Sequence, residues 1–419
     1  MRNGLIKVSL FINYFLFAVL LNSVGTVILQ VQNSFGVGER AASVLEAFKD
    51  LPIAITSFLV ASFVVRIGYK RTMQIALVFI GLVCLVLPQV PTFWMVKLLF
   101  AATGVSFALI KVSVFATLGL VTQDQRGHAS LMNFLESFFM VGVLSGYFIF
   151  SQFVDDQNPS SLGWVRVYYV LAAISFLALV LLSFAPLDES QIQEEAPTTM
   201  MADFGKMLAL CARGLVLIFI LSAFLYVLIE QSIMSWLPTF NSRILHLPAS
   251  LSIEMASILA ASTALGRFVA GLVLKRFDWL KVLVVGLVLA AVLVLVVLPL
   301  AQVANPEPVT RWANAPLAAF VFPCIGFCLA PIYPAINSVI LSALPARQHA
   351  PMSGLIVVFS ALGGTSGSLL MGFLFSTIGG KAAFYFSLLP LALLLFALFQ
   401  FKRRLSQTLP PAHGVSHGG

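Results

Sequence analysis

The sequence predicts an all-α membrane protein with twelve transmembrane helices in two pseudo-symmetric six-helix bundles. Three observations support this fold class: the composition is apolar, short polar loops divide the apolar runs, and one segment occurs twice. The mean hydropathy is +1.01, and 10% of the 419 residues are charged, whereas soluble domains carry about 25%. Lipid therefore surrounds most of the folded chain.

A helical crossing needs about 20 apolar residues, and hydropathy divides the chain into twelve such runs, numbered as spans 1 to 12 in chain order. The polar loops between them lie near residues 32–41, 66–71, 88–92, 121–128, 153–165, 187–208, 238–249, 275–281, 303–313, 345–350 and 378–382. The runs lack the ten-residue alternation of barrel strands, and a helix satisfies its own backbone hydrogen bonds in lipid. We therefore expect helices.

The duplicated segment comprises residues 126–150 and 347–371, at a constant offset of 221. The matching pairs are Arg126/Arg347, His128/His349, Ala129/Ala350, Phe138/Phe359, Gly142/Gly363, Ser145/Ser366 and Gly146/Gly367. Apolar sequences also resemble one another through composition, but a shared Arg-x-His-Ala loop is harder to obtain that way. Two like-oriented halves create an interface at mid-membrane, where many secondary transporters hold their substrate.

The duplication also predicts the domain boundaries. Residues 1–186 form an N-terminal six-helix bundle, and residues 211–404 form a C-terminal six-helix bundle. Between them, residues 187–210 are a cytoplasmic linker, acidic at first and then amphipathic, and too short to be a domain. Residues 405–419 are a cytoplasmic tail.

The basic residues predict the orientation in the membrane. With a cytoplasmic N-terminus, fifteen of them fall on the cytoplasmic side: Arg2, Lys7, Arg66, Lys70, Arg71, Arg126, Lys206, Arg213, Lys275, Arg276, Lys281, Arg347, Lys402, Arg403 and Arg404. Only Arg40, Arg166, Arg243, Arg311 and Lys381 fall outside, and Lys49, Lys97, Lys111 and Arg267 lie within spans. This distribution follows the positive-inside rule, so both termini are expected in the cytoplasm.

The net charge of +8 therefore reflects membrane orientation and does not indicate a nucleic-acid partner. The first apolar stretch continues to about Leu29 without a small-residue cleavage site, so we expect an uncleaved first span. Short loops without a glycosylation acceptor favour a bacterial inner (plasma) membrane. We expect a multi-pass monomer whose partners are lipid, protons and a small-molecule substrate.

This layout resembles the major facilitator superfamily over essentially the whole chain. The loop after span 2 retains part of the family motif Gly-x-x-x-Asp-Arg-x-Gly-Arg-Arg: Ala61 replaces the glycine and Val65 the aspartate. The matching positions, to which the resemblance assigns a gating role, are Arg66, Gly68, Lys70 and Arg71. The resemblance implies the major facilitator fold, with spans 1, 4, 7 and 10 around a central cavity.

Span 7 is similar to a more specific group within that family. Residues 224–236 read Phe-Leu-Tyr-Val-Leu-Ile-Glu-Gln-Ser-Ile-Met-Ser-Trp, which resembles the Tyr-Val-x-x-Glu…Trp stretch of the fucose–proton symporter subfamily. That resemblance implies sugar transport by symport with protons. Where the subfamily has an acidic residue in span 4, this chain has Lys111, which favours an acid as substrate.

Ionisable side chains within the spans predict the functional site. Each costs at least about 2.5 kcal/mol at a helix centre, so each is a functional hypothesis. Lys111 and Glu230 fall on the expected lining helices, and their repeat partners are Tyr333 and Asn22. We expect Asn22, Lys111, Gln231, Tyr333 and Asn337 to bind a small hydroxylated or anionic solute.

Glu230 is the first candidate for the proton carrier, because a carboxyl in a poorly hydrated cavity can bind a proton at one side and release it at the other. A glutamate that only packs between helices is the alternative. Glu136 and Asp50 are further candidates. Glu136 lies at the same depth as Lys111, and this pair is either a structural ion pair or part of the mechanism.

Three further expectations concern packing. Lys49 is expected to extend to the outer interface, and Trp236 is expected in an interfacial belt. The glycines with small-x-x-x-small spacing predict close helix contacts that let the two halves rock: Gly142, Gly146, Gly363 and Gly367. The four cysteines lie in spans, and no metal or cofactor is expected.

The sequence therefore predicts a proton-coupled secondary transporter that imports a small polar solute, a sugar, sugar acid or other organic acid, by alternating access. A proton antiporter that exports a drug, amphiphile or metabolite is the alternative. A polytopic membrane enzyme is a third class, and the loops carry no catalytic constellation that would favour it. We do not expect an enzyme.

Overall fold

The computed structural model describes residues 4–60, 64–121, 125–187, 189, 200–301, 309–345 and 348–408. These residues form helices and no strand. The twelve spans are, in order, Gly4–Asn22 with Val24–Phe35; Val44–Val60; Tyr69–Val86; Phe93–Val121; Gln125–Ser151; Val167–Phe184; Gly214–Arg243; Ala249–Val273; Trp279–Leu300; Leu317–Val321 to Ile332–Ala343; His349–Ile378; and Gly380–Tyr385 with Leu388–Thr408.

Eleven segments are long and apolar enough to cross a membrane, and span 2 is the twelfth, with 17 residues and an internal Pro52. Shorter helices occupy Glu39–Ala42, Val64–Ile67 and Met200–Cys211. The predicted all-α membrane fold is confirmed. Local signals end several spans: Gly36 adopts a left-handed conformation after span 1, with φ 63°, where a glycine has no Cβ penalty.

The same pairs of spans pack against each other in both halves. Spans 1–5, 1–6, 2–4, 3–4 and 3–6 are in contact in the first half, and spans 7–11, 7–12, 8–10, 9–10 and 9–12 are in contact in the second. The halves meet through three pairs of spans: 2 with 11, 5 with 8, and 1 with 7. Exchange of the two halves converts the first of these pairs into the second. The two pseudo-symmetric bundles are therefore present, while their boundaries at residues 186, 211 and 404 stay predictions.

Span 10 is broken near mid-membrane. Its helices end at Leu329 and resume at Ile332, with Pro331 at the new N-terminus, because proline lacks the amide hydrogen that a continuous helix requires. Span 1 is interrupted at Ser23, whose hydroxyl donates a 2.8 Å hydrogen bond to the Leu20 carbonyl oxygen. The repeat partner of span 1, span 7, is continuous, so the two breaks are not symmetric.

The glycines of the duplicated segment hold span 5 against span 1 and span 11 against span 7. A Cβ added to Gly142 would lie 2.9 Å from the Phe15 carbonyl oxygen, and one added to Gly363 would lie 2.6 Å from that of Phe224. Gly367 packs as closely on Leu228. These contacts lie within each bundle, so the glycines build the bundles. The rocking role we expected for them stays a prediction.

Successive spans run in opposite directions, so the chain alternates between two faces of the protein. We call the face that carries residues 4, 64–68, 185–187, 212–213, 274–278 and 408 the terminal face. The opposite face carries residues 36–43, 87–92, 152–161, 244–248, 309–316 and 379, and we call it the far face.

Hydrogen bonds connect the loop after span 2 to the end of span 6 at the terminal face. The Lys70 ammonium donates to the carbonyl oxygens of Ser183 and Ala185, at 3.0 and 2.7 Å. The Glu189 carboxylate accepts a 2.8 Å hydrogen bond from the Lys70 backbone amide, at the positive end of the span 3 helix dipole. Glu189 therefore caps span 3, a role beyond the tether that the linker composition predicts.

The second half has the same arrangement with different residues. Asp278 caps span 9 by accepting hydrogen bonds from the backbone amides of Leu280 and Lys281, and it accepts a 2.8 Å bond from the Lys402 ammonium in span 12. This bond from Lys402, more than the two from the backbone, holds the pKa of Asp278 below its ordinary value of 3.8. Spans 9 and 12 are thus joined as spans 3 and 6 are.

Gly363→Ala should lower the melting temperature of the purified protein, because the added methyl group would collide with the backbone of span 7, and overpacking costs about 1–3 kcal/mol. Gly146→Ala is the matched control: its Cβ would lie 3.5 Å from the nearest atom of Val19, an ordinary contact. Equal melting temperatures for the two variants in detergent would contradict the packing described above.

Asp278→Asn should lower stability near neutral pH by about 0.2–1 kcal/mol, because the ion pair with Lys402 is lost while asparagine still caps the helix. The folded pKa of Asp278 lies below its ordinary value, so its contribution is complete above pH 3.8 and disappears as the pH falls through the folded value. Melting temperatures of both proteins between pH 3 and pH 7 should therefore converge in acid. A constant difference would assign the effect to packing.

Candidate functional site

A cavity of about 180 Å³ lies between the two bundles. Spans 1, 5, 7, 8 and 10 border it. Its polar lining residues are Asn22, Glu230, Gln231, Thr263 and Arg267. Phe139 and Met140 of span 5 and Ile325 and Leu329 of span 10 form much of the apolar wall. Such a mixture of apolar walls and few polar groups is typical of small-molecule sites.

Glu230 begins a chain of polar contacts within the second bundle. The Tyr226 hydroxyl donates a 2.7 Å hydrogen bond to its Oε1. The Tyr226 ring stacks on Tyr333 with centroids 5.6 Å apart. The Tyr333 hydroxyl lies 2.8 Å from Ser360 Oγ and also bonds to Asn337. Tyr333 and Asn337 therefore support the cavity wall from behind Tyr226.

Lys111 and Glu136 bring charge from the first bundle. Both side chains are exposed although their spans cross the membrane. The Lys111 ammonium lies 5.8 Å and 5.9 Å from the ring centroids of Phe107 and Phe115. Glu136 is within electrostatic range of Lys111 and, across the interface, of Arg267. The Glu136 carboxylate is thus within electrostatic range of one cation from each bundle.

The structure brings together some of the expected site residues and separates others. Asn22, Gln231 and Glu230 line the cavity, and Asn22 donates a 2.8 Å hydrogen bond to the Ala18 carbonyl oxygen. Among the described residues, span 4 contributes none that borders the cavity, whereas spans 5 and 8 do. Lys111 therefore does not border the cavity, and its relation to the site is electrostatic, through Glu136. The side chain of Arg66 lies outside the described part of the chain.

Arg267 is the residue that the sequence interpretation missed. It was counted as one of four basic residues inside the spans, and no role followed. The cost of an ionisable group in hydrocarbon, which identified Lys111 and Glu230, applies equally to Arg267. Thr263, one helical turn away on the same face of span 8, was also missed, and a lone threonine gives no comparable signal.

A second ionic cluster lies in span 2, on the far side of the cavity. Glu46, Lys49 and Asp50 are buried together. The Lys49 ammonium donates to Glu46 Oε1 and lies 3.4 Å from Asp50 Oδ1. The expectation that Lys49 extends to the outer interface is therefore wrong: two neighbouring carboxylates compensate its charge inside the protein, which a buried cation requires.

This cluster, which we call the span 2 triad, connects the two bundles. The Ser235 hydroxyl of span 7 donates a 2.7 Å hydrogen bond to Glu46 Oε2. Gly364 of span 11 packs directly on Asp50 Oδ2, and its Cβ position lies 3.3 Å from Gln231 Cγ. Because Gln231 lines the cavity, Gly364 links the triad to the cavity wall.

Trp236 also differs from its predicted position. Its side chain is fully buried, its Nε1 donates a 3.3 Å hydrogen bond to Ser368 Oγ, and its ring packs on Phe375. The interfacial-belt prediction is therefore wrong. Sequence position along a span indicates depth in the membrane, but it does not indicate whether the side chain faces lipid or a neighbouring helix.

Among the residues that the structure describes, several hydrogen bonds between the bundles lie at the far face. Arg40 Nε donates to Ser376 Oγ at 2.8 Å, and the Ser250 backbone amide donates to Asp156 Oδ1 at 2.9 Å. Gln32 bonds to Thr239 over 3.4 Å. These bonds of the described residues join the two bundles at the far face.

The chain is thus a twelve-span helical protein with a partly polar cavity between pseudo-symmetric bundles. Residues 10–368 match the Major Facilitator Superfamily, and the chain belongs to this family. It is therefore a transporter and not an enzyme. No sequence among the curated proteins matches it.

Solved structures share the fold. A bacterial homologue of the human lysosomal transporter Spinster, in an inward-facing and occupied conformation, is 13% identical with a TM-score of 0.74, over 98% of this chain and 99% of that chain. The nucleoside transporter NupG is 16% identical with a TM-score of 0.74, over 96% and 99%. A D-xylose–proton symporter is 12% identical with a TM-score of 0.72, over 96% and 98%. At these identities the likeness shows the fold alone.

Gly364→Ala should weaken closure of the far face, because the new methyl group would meet Asp50 Oδ2 and push span 11 from span 2. Spin labels at Gln89 and Thr310, both exposed at that face, would report the change by electron–electron double resonance in a cysteine-free background. We expect a new population at longer distance.

The matched control is Gly271→Ala in span 8, where an added Cβ meets nothing within 4 Å. Its distance distribution should equal that of the parent. An unchanged distance distribution in Gly364→Ala would show that closure of the far face does not depend on the close contact between Gly364 and Asp50.

Proposed function

We propose that the chain is a proton-coupled secondary active transporter that imports a small polar solute, such as a sugar, sugar acid or other organic acid, by alternating access. The observation that supports this most directly is Glu230. Its carboxyl lies on the wall of the cavity between the bundles and is bonded to Tyr226 of its own helix. It can therefore meet solute and exchange a proton while the bundles move.

The coupling follows from linkage between two ligands. The conformation that binds the solute more tightly must also prefer the protonated carboxyl, otherwise the proton gradient does no work on the solute. Glu230 is the leading proton carrier. Glu136 is within electrostatic range of Arg267, and Asp50 lies at the contact of spans 2 and 11, so both are further candidates for coupling.

Solute binding is assigned to groups around the cavity. Asn22 and Gln231 offer amides directly to it. Tyr333 and Asn337 act through the stacked Tyr226 ring, and Lys111 acts through its charge. The similarity of span 7 to the fucose–proton symporters and the structural likeness to a D-xylose–proton symporter and a nucleoside transporter favour a hydroxylated solute.

Orientation completes the proposal. The basic residues favour a cytoplasmic terminal face, with both termini inside, in a bacterial inner membrane. The closed far face would then be periplasmic, and the cavity would be open to the cytoplasm. The gating residues of the loop after span 2, including Lys70 and Gly68, lie at that cytoplasmic face. We expect a monomer.

Proteoliposomes that contain a pH-sensitive dye test the function. A panel of L-fucose, D-xylose, uridine, D-gluconate and lactate is added outside, and a transported solute should acidify the lumen. Labelled solute should accumulate when the outside is acidic. Extrusion of preloaded solute under the same gradient would identify the protein as an antiporter and not an importer. Absence of proton movement with every solute would refute the proposal.

Glu230→Gln should allow exchange of labelled solute across the membrane and abolish its accumulation under a pH gradient, because the amide retains a hydrogen bond with Tyr226 but carries no exchangeable charge. Asp278→Asn, a carboxyl-to-amide change at the terminal face, is the matched control and should accumulate solute normally. Gradient-driven accumulation by Glu230→Gln would remove Glu230 as the carrier.

A further inference from the structure

Arg267 is a cavity residue that the proposed proton coupling does not use. It borders the cavity from span 8, and its side chain is exposed. Within the described ranges it forms no hydrogen bond or ion pair. Its electrostatic neighbours are Glu136 in the other bundle and the hydroxyl groups of Tyr226 and Tyr333. A guanidinium that is exposed in a mid-membrane cavity is available to a ligand.

Lys111 is the corresponding cation of the first bundle. Its ammonium group has no ion pair among the described residues and lies near two aromatic rings. Glu136 is the carboxylate that faces both Lys111 and Arg267, and Tyr14 is the other titratable group near it. With two cations and one carboxylate, the side chains of Lys111, Arg267 and Glu136 together carry a net positive charge.

Glu230 does not remove this excess in the loaded state. Its carboxylate is hydrogen-bonded to Tyr226, and it is neutral whenever it carries the coupled proton. The surplus positive charge then lies at the boundary of the two bundles, where a solute that bridges them would bind. The planar guanidinium fork matches a carboxylate or phosphate through two parallel hydrogen bonds.

We infer that the transported solute carries an anionic group, a carboxylate or a phosphate, which the exposed Arg267 binds on the cavity wall, while Lys111 adds positive charge from the other bundle. This inference rests on the proposed function and names the substrate class of the same site.

The arrangement has a consequence for charge movement. One monoanion that enters with one proton transfers no net charge, whereas a neutral sugar that enters with one proton transfers one positive charge. Uptake of a monocarboxylate should therefore respond to the pH gradient and be insensitive to an imposed potassium-diffusion potential. Uptake of a neutral sugar would increase with an inside-negative potential.

The binding test uses the full-length protein in lipid nanodiscs and isothermal titration calorimetry. The anionic probes are D-gluconate, lactate and D-glucose 6-phosphate, and the neutral comparators are D-glucose and glycerol. We expect anions to bind, and Arg267→Gln to weaken binding at least about tenfold, which corresponds to about 1.4 kcal/mol. Arg267→Lys should retain part of the affinity.

Arg276→Gln, which removes a charge from the exposed loop after span 8, is the matched control and should bind as the parent does. Binding of gluconate or lactate alone identifies a carboxylate, and binding of the sugar phosphate alone identifies a phosphate. If Arg267→Gln does not fold, Arg267→Lys and the potential dependence of the parent protein provide the test.

Two failures are distinguishable. Neutral solutes that bind, enter with protons and are unaffected by Arg267→Gln would overturn the anionic class and leave proton-coupled import intact. Anions that bind through Arg267 without any proton movement would refute the proposed function and leave the recognition of an anion standing.

Discussion

Burial of charge away from lipid is the constraint on which this structure depends. The chain has few charged residues, and those inside its spans need a polar neighbour or water because hydrocarbon solvates them poorly. Glu230 and Arg267 border the cavity, and Glu136 is within electrostatic range of Arg267 and Lys111. Glu46, Lys49 and Asp50 meet in span 2, at its contact with spans 7 and 11. Both locations lie between the bundles, where two surfaces face each other and not lipid. The interface that must open and close is therefore the interface that holds the charges.

The duplication explains why such an interface exists. Each half packs its helices in the same pairs, and each places a glycine of the duplicated segment against a backbone carbonyl oxygen of its first helix. Small residues permit this approach in a membrane, where the hydrophobic effect gives no attraction between helices. Inside each bundle these glycines pack against backbone, whereas the contact between the bundles includes the buried charges of Glu46, Lys49 and Asp50. Rigid bundles with a polar boundary favour motion at the boundary.

Much of this could be predicted from the sequence. The apolar runs and the repeated segment were sufficient for the twelve-span, two-bundle fold. The cost of charge in lipid and the repeat alignment identified Asn22 and Glu230, which border the cavity. The sequence did not reveal which buried side chains lie beside one another. Lys49 was placed at the outer interface because its position along the helix indicates depth but does not show that Glu46, one helical turn away, is buried with it. Arg267 was overlooked because it was counted only among the basic residues that orient the chain, although the cost of charge in lipid applies to it as it does to Lys111.

The far-face contacts set the scale of the free energy that a solute and a proton must supply. A typical hydrogen bond contributes about 0.5–1.5 kcal/mol net, so the bonds of Arg40, Gln32 and Ser250 together hold the far face closed by a few kcal/mol. Reversal of a two-state population from 1:99 to 99:1 requires about 5.5 kcal/mol of differential binding. One charge-assisted contact at the cavity and one change of protonation approach this value together, and neither reaches it alone. Gly364, which contacts both Asp50 and the Gln231 side chain, is the place where the two contributions can add. Under the proposed function, the solute and the proton would move together because neither alone has enough differential affinity to open the far face.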